Sequence, residues 1–179
     1  MQIPIASFVP IDLYVAVAKS NKRFMPCKQR IITKMLRIMS KYRDKFEYPE
    51  NPASTEEIQA LEKWLGTDLP SEHKKFLLET NGAETPIGVQ EPDDSVVLWS
   101  AKEISELTEA YCYEQYLPGL VAIGSDGGGE SIVFDTTHNI SSEDWPVYRV
   151  PFGDLTKESM VLLAANFNEW VSSGYSLKF

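Results

Sequence analysis

The apolar residues of the chain change between helical and strand-like spacing, and this pattern predicts the order of its elements. From residue 28 to residue 46, apolar side chains recur every three or four positions, as on one face of an amphipathic helix. We predict a basic helix that ends at Phe46, followed by a break at Pro49 and Pro52. The cations on the other face of this helix are Arg30, Lys34, Arg37, Lys41 and Lys45.

Two capping boxes predict the starts of two further helices. Ser54 stands three residues before Glu57, and Ser100 stands three residues before Glu103. Such pairs satisfy the free N–H groups of a first helical turn. Gly66 is expected to end the first of these helices. The second is expected to run to residues 117–119, and another helix is expected between residues 69–71 and 81–82.

Short apolar runs between turn-forming residues predict strands. They cover residues 87–89, 96–99, 120–123, 131–135 and 147–150. An apolar stripe from Met160 to Val171 has helical spacing, so we predict a closing helix that Gly174 ends. Helices, then a group of strands, then one helix indicate an α+β fold with a mainly antiparallel sheet.

The charge of the chain is divided unevenly. Of 179 residues, 17 are Lys or Arg and 26 are Asp or Glu, which gives a net charge of −9. The first 45 residues hold 10 cations and 2 acids, whereas residues 46–179 hold 7 cations and 24 acids. Because nucleic-acid binding needs cations against phosphates, the acidic body argues against it. Three interpretations of the basic helix stay open. It binds a membrane surface, it binds an anionic partner, or it packs its apolar face on the core while its cations face water or the acidic body.

The N-terminal segment does not fit a targeting signal or a membrane span. Residues 3–18 are mostly apolar but include Asp12, and they are too few to cross a bilayer. The first cation of the chain, Lys19, follows them, which is the reverse of a secretory signal. Cys27 and Cys112 stand 85 positions apart and form neither a disulfide framework nor a metal cage. This cysteine usage fits a reducing compartment, so we expect a cytoplasmic protein.

The sequence carries no recognisable catalytic motif. The glycine-rich segment 124–129 leads into a predicted strand, so we interpret it as a hairpin turn and not as a phosphate cradle. His73 and His138 stand outside known motifs, and Cys112 is expected to pack within a helix. No zinc spacing is present, and we expect no metal or cofactor. A hydrolase that uses carboxylates of polar loops stays open; the adjacent acids are Asp93 with Asp94 and Glu143 with Asp144.

Four stretches of the chain together carry a family resemblance. They are residues 52–82, 98–104, 121–130 and 163–171. In this order they resemble the two-helix signature, the strand-to-helix segment, the glycine-rich hairpin and the closing helix of the SUKH superfamily. This is the SMI/KNR-like group of bacterial immunity proteins and fungal cell-wall regulators. Glu130, Asn168 and Trp170 replace the commoner Asp, Glu and Phe of the family, with little change of physical type.

The resemblance spans about residues 41–174 and implies a single, mainly antiparallel sheet flanked by helices over residues 41–179. Residues 1–40 then form an N-terminal extension that includes the start of the basic helix. The resemblance also implies a non-enzymatic immunity protein that neutralises a polymorphic or contact-dependent toxin, with a nucleic-acid-acting toxin as the expected target. A regulatory protein-interaction module of the fungal type is the alternative.

The expected partner is therefore a protein, and not a nucleic acid, a membrane or a small molecule. An acidic body attracts a basic partner and speeds their encounter. The expected contact residues are acids of the polar loops: Asp93, Asp94, Asp126, Glu130, Glu143 and Asp144. Among the aromatic residues, Trp64, Trp99 and Trp170 are expected in the core, and Tyr113 and Tyr116 at the surface.

Overall fold

A computed structural model describes residues 41–86, 95–137 and 141–178. In these residues, seven strands form one antiparallel sheet in chain order. The strands are β1 (Phe46–Pro49), β2 (Ala83–Pro86), β3 (Val97–Leu98), β4 (Leu120–Ser125), β5 (Glu130–Asp135), β6 (Val147–Pro151) and β7 (Val161–Ala164). The α-helices are α1 (Thr55–Leu65), α2 (Ser71–Glu79), α3 (Ala101–Ala110), α4 (Tyr113–Tyr116) and α5 (Phe167–Ser172). The predicted α+β fold with a mainly antiparallel sheet is confirmed.

Both predicted capping boxes form and begin the helices α1 and α3. Ser54 Oγ accepts a hydrogen bond from the Glu57 N–H at 3.2 Å, and Glu57 Oε2 accepts one from the Ser54 N–H at 2.7 Å. Ser100 and Glu103 make the same pair of bonds at 3.2 and 2.9 Å. Helix α1 ends at Gly66 with φ 74°, a left-handed conformation that glycine adopts at little cost. These local signals explain why the helices begin where the sequence predicted.

Helices cover both faces of the sheet at its centre. The ring of Phe134 in β5 lies 5.2 Å from His73 in α2 and 5.9 Å from Phe167 in α5, measured between centroids. Neighbouring residues of a strand point to opposite faces, so Ser131 is on the other face from Phe134. Its hydroxyl hydrogen-bonds the hydroxyl of Tyr113 in α4. Strands β4 and β5 are therefore buried between two helical layers. Helices α2 and α5 cover one face, and α4 covers the other.

The close approach of the short strand β3 requires a glycine in β4. A Cβ atom on Gly124 would lie 2.4 Å from the carbonyl oxygen of Val97, so only glycine allows β3 to approach this closely. Strand β3 pairs only with Gly124 and Ser125 of β4. Earlier in β4, the side chain of Thr108 in α3 hydrogen-bonds the strand instead. Its Oγ1 accepts a hydrogen bond from the Ala122 N–H at 3.0 Å. Helix α3 thus satisfies a buried backbone donor of β4.

The predicted end of the basic helix at Phe46 is wrong. Residues Arg43–Lys45 form a single 3-10 turn, and Phe46 begins β1, where it pairs with Pro86. The ring of Phe46 lies 5.0 Å from that of Tyr175, so its burial comes from core packing and not from a helix face. Residues 1–40, the predicted strand at 87–89, Cys27 and His138 lie outside the described residues.

The predicted closing helix is correct only in its second half. Residues Val161–Ala164 form β7, which pairs with β6, and α5 begins after the N-cap Asn166. A short run of apolar residues fits a strand as well as a helix, and pairing with β6 decides between them.

The helix predicted from Ser100 to residue 117 is broken at Cys112. This residue has φ 58°, separates α3 from α4, and is exposed, so the predicted packing of Cys112 within a helix is wrong. The restart of the helix turns Tyr113 into the core, against the expectation that it is exposed. Trp99 and Trp170 are buried and Tyr116 is exposed, as predicted, whereas Trp64 is 37% exposed and not a core residue.

Candidate functional site

Asp126, one of the predicted contact residues, organises its own hairpin. Its Oδ1 accepts hydrogen bonds from the backbone N–H groups of Gly128, Gly129 and Glu130 at 2.7, 2.9 and 2.9 Å. Partial burial alone raises the pKa of this carboxyl, but the three N–H groups outweigh it and the pKa is lowered. The glycine-rich segment is thus the predicted turn between β4 and β5, stabilised by an ionised carboxylate.

Two further predicted contact residues also have partners within the molecule. Glu130 forms an ion pair with Arg149 on the neighbouring strand β6. Glu143 accepts hydrogen bonds from the Ser71 N–H at 2.7 Å and from the Ser71 hydroxyl at 3.0 Å. Helix α2 has no cap from its own N-cap residue Pro70, so Glu143 supplies the cap from a distant part of the chain.

The predicted contact residues do not form one cluster. Asp126 and Glu130 flank the start of β5, whereas Glu143 and Asp144 belong to the 3-10 turn Ser142–Asp144, which follows the other end of β5. The six residues of this strand separate the two groups by about 20 Å. Asp144 is exposed, and Asp93 and Asp94 lie outside the described residues.

A cleft of about 610 Å³ lies beside the second group, where α1 ends and β4 begins. Two carboxylates line it, those of Glu109 on α3 and Glu114 on α4, and no Lys, Arg or His is among the lining residues. Its walls are Trp64, Leu65, Gly66, Thr67, Thr108, Glu109, Glu114, Gly119, Leu120, Val121, Thr136, Ser141, Ser142 and Trp145. The cleft is therefore acidic and partly apolar.

Two tryptophans define the cleft. Trp64, on the last turn of α1, donates a hydrogen bond from Nε1 to Glu109 Oε1 at 2.7 Å, which fixes the edge of the indole against the carboxylate. Trp145 packs against Phe134 with ring centroids 5.8 Å apart and is only 2% exposed. Its Nε1–H has no hydrogen-bond partner, which is uncommon for a buried indole.

Two exposed tyrosines lie outside the cleft, one directly after α3 and one in α4. Tyr111 stacks on Phe152 with a centroid distance of 4.5 Å, and Tyr116 is 56% exposed. We call Trp64, Glu109, Glu114 and Trp145, with the cleft that they line, the acidic cleft. Sequence reasoning missed it because the search for acids was confined to loops and Trp64 was assigned to the core. The position of Trp64, off the stripe of Ile58 and Leu61, was the available signal.

Among residues 41–86, 95–137 and 141–178, no three His, Cys, Asp or Glu side chains are grouped so that they could hold a metal ion. No helix within these ranges has the length and apolar character needed to cross a bilayer.

Comparison with known proteins agrees with the fold. Residues 52–173 match the model of the SMI1 / KNR4 family (SUKH-1). The chain is also similar to "Uncharacterized protein YnaB" of Bacillus subtilis (strain 168), with 29% identity over 128 residues that cover 72% of this chain and 80% of the relative. The family match covers all four stretches on which the resemblance was based, and the resemblance is confirmed.

Proposed function

The chain belongs to the SMI1/KNR4 (SUKH-1) family, and on this premise we propose that it is an immunity protein. It binds a cognate toxin domain, polymorphic or contact-dependent, in the cytoplasm and blocks that domain without turnover. The observation that carries the proposal is the family match over residues 52–173, because the family is associated with binding toxin partners. A toxin that acts on nucleic acids is the expected target.

The charge of the body supports this kind of target. Residues 46–179 hold 24 acids against 7 cations. A nuclease or deaminase has a cationic groove for phosphates, and a carboxylate-rich protein competes for such a groove. Acidic loops are therefore suited to occupy the site in place of the nucleic acid.

The predicted loop acids remain the proposed contacts, with Asp144 the best single test. Asp126 stabilises a hairpin, Glu130 forms an ion pair and Glu143 caps a helix. Changing any of them therefore alters the fold as well as the surface. Asp144 is exposed in the Ser142–Asp144 turn. Its replacement by asparagine removes charge with little change in shape.

Co-expression with the toxin encoded next to this gene tests the proposal. We expect the protein to restore colony formation to the level seen with a catalytically inactive toxin, and to copurify with that inactive toxin. The inactive toxin separates complex formation from toxicity. Persistent toxicity without a complex contradicts the proposal and favours the regulatory interaction module.

A further inference from the structure

We propose that the acidic cleft receives an arginine side chain from the protein partner. This inference rests on the proposed function, because it names the chemical group by which a toxin domain is held. It adds a contact on α1, α3 and α4 to those proposed for the polar loops. The features that carry it are the two carboxylates, the exposed indole of Trp64 and the unpartnered donor of Trp145.

The carboxylates of Glu109 and Glu114 determine the charge of the occupant. Both residues are exposed and both line the cleft, where no lining side chain is cationic. Glu109 accepts one bond from Trp64, but a carboxylate has acceptor sites for several donors. The planar guanidinium of arginine offers five donors and matches carboxylate geometry, which a lysine ammonium does not.

The indole of Trp64 favours arginine further. Its hydrogen bond to Glu109 at 2.7 Å holds the ring beside the carboxylate, and the residue is 37% exposed. A guanidinium stacks on the face of an indole while its edge hydrogen-bonds a neighbouring acid. The Trp64–Glu109 pair is thus arranged before binding, which reduces the entropy lost when the complex forms.

Trp145 indicates that the occupant is a polypeptide. Its buried Nε1–H has no acceptor, and a buried donor in this state destabilises the free protein. The guanidinium of arginine offers only donors, but the backbone carbonyl oxygen of the same residue is an acceptor. Because Nε1 is buried in the free protein, the carbonyl of an arginine-bearing loop reaches it only when the Trp145 indole turns toward the cleft on binding. Such a loop then supplies both a cation for the carboxylates and an acceptor for Trp145.

The indole N–H resonances of the ¹⁵N-labelled protein test the cleft without the toxin. The probe is N-acetyl-arginine methylamide, and N-acetyl-citrulline methylamide is the neutral control of similar shape. We expect saturable shifts of the Trp64 and Trp145 resonances with arginine, and binding about tenfold weaker or absent with citrulline. Trp64→Phe and Trp145→Phe spectra assign the signals. Equal shifts with both probes, or no shifts, overturn the inference.

Binding of the toxin domain tests the same contact in the complex. Glu109→Gln and Glu114→Gln each remove one charge, and we expect about tenfold weaker binding for each. Glu106→Gln is the matched control, because Glu106 is an exposed residue of α3 outside the cleft, with Lys102 at 3.4 Å as its partner. We expect its effect to be less than about twofold.

The outcomes separate this inference from the proposed function. If the toxin binds the parent protein and both cleft variants equally well, the arginine contact is wrong and the immunity function stands. If the toxin does not bind the parent protein, the proposed function is wrong, and the indole titration still decides whether the cleft takes arginine. Unfolding midpoints of the variants confirm that a loss of binding is not a loss of fold.

Discussion

At the scale of single residues, His73 has the most unusual surroundings. It is fully buried in α2, and its ring lies 6.1, 5.2 and 4.8 Å from the rings of Phe76, Phe134 and Phe167. Neither ring nitrogen has a hydrogen-bond partner. Burial lowers the pKa of His73 to about 3, so the folded protein holds this side chain neutral at every physiological pH.

This burial predicts a loss of stability in mild acid. The unfolded chain takes up a proton on His73 near pH 6.5, whereas the folded protein does not until about pH 3. The stabilisation is therefore complete above pH 6.5 and is lost as the pH falls below it. Between pH 8 and 5.5 the free energy of unfolding should fall by about 1.4 kcal/mol through this residue.

Urea unfolding of His73→Leu at the two pH values measures the effect. Leucine has nearly the volume of histidine and no titrating group, so we expect the variant to lose about 1.4 kcal/mol less than the parent. His138→Leu is the matched control, since the chain has only two histidines. The interpretation is wrong if the acid sensitivity follows His138 and is unchanged in His73→Leu.

At the scale of elements, the sequence predicted those whose signals are local. The capping boxes at Ser54 and Ser100 formed because each needs only a hydroxyl and a carboxylate three residues apart. The failures at residues 160–164 and at Cys112 have one cause. An apolar run is compatible with more than one local structure, and tertiary contacts, pairing with β6 or burial of Tyr113, select among them.

The same reasoning explains how much of the candidate site was predictable. The acidic character of the body follows from composition, and the turn chemistry around Asp126 follows from its glycines. The acidic cleft did not follow from either, because Trp64 and Glu109 are 45 positions apart and meet only through the packing of α1 on α3. Long-range pairs of this kind leave no periodic signal in one sequence.

Thr108 offers a test of how α3 stabilises the sheet. Thr108→Val keeps the shape of the side chain but leaves the buried Ala122 N–H without an acceptor. We expect the free energy of unfolding to fall by about 1–3 kcal/mol in urea titrations. Thr108→Ser should recover most of this loss, and the exposed control Thr156→Val should stay within about 0.5 kcal/mol of the parent. Equal effects at both positions would contradict the assigned role of the hydroxyl.

At the scale of the whole molecule, the acids act in two ways that the structure separates. Asp126 and Glu143 are committed to backbone groups of the protein itself, which limits their part in direct contacts. They still contribute to the electrostatic field, and the lowered pKa of Asp126 keeps that carboxylate ionised further into acid than an ordinary aspartate. Steering of a basic partner therefore depends on the total charge, whereas holding the partner depends on a few accessible groups such as Glu109 and Glu114.

This separation predicts how salt acts on binding of the toxin domain. Exposed charges are screened within about 10 Å at 0.1 M salt, so the association rate should fall by about tenfold between about 50 and 500 mM, with a smaller change in the dissociation rate. Glu106→Gln with Glu158→Gln removes two exposed charges outside the cleft and outside the proposed contacts, and should slow association at low salt only. Glu109→Gln should instead speed dissociation at every salt concentration, because it removes a contact made in the complex. Stopped-flow measurements distinguish these effects. An association rate that does not change with salt excludes steering. The contact in the cleft is then judged separately, by the dissociation rate of Glu109→Gln.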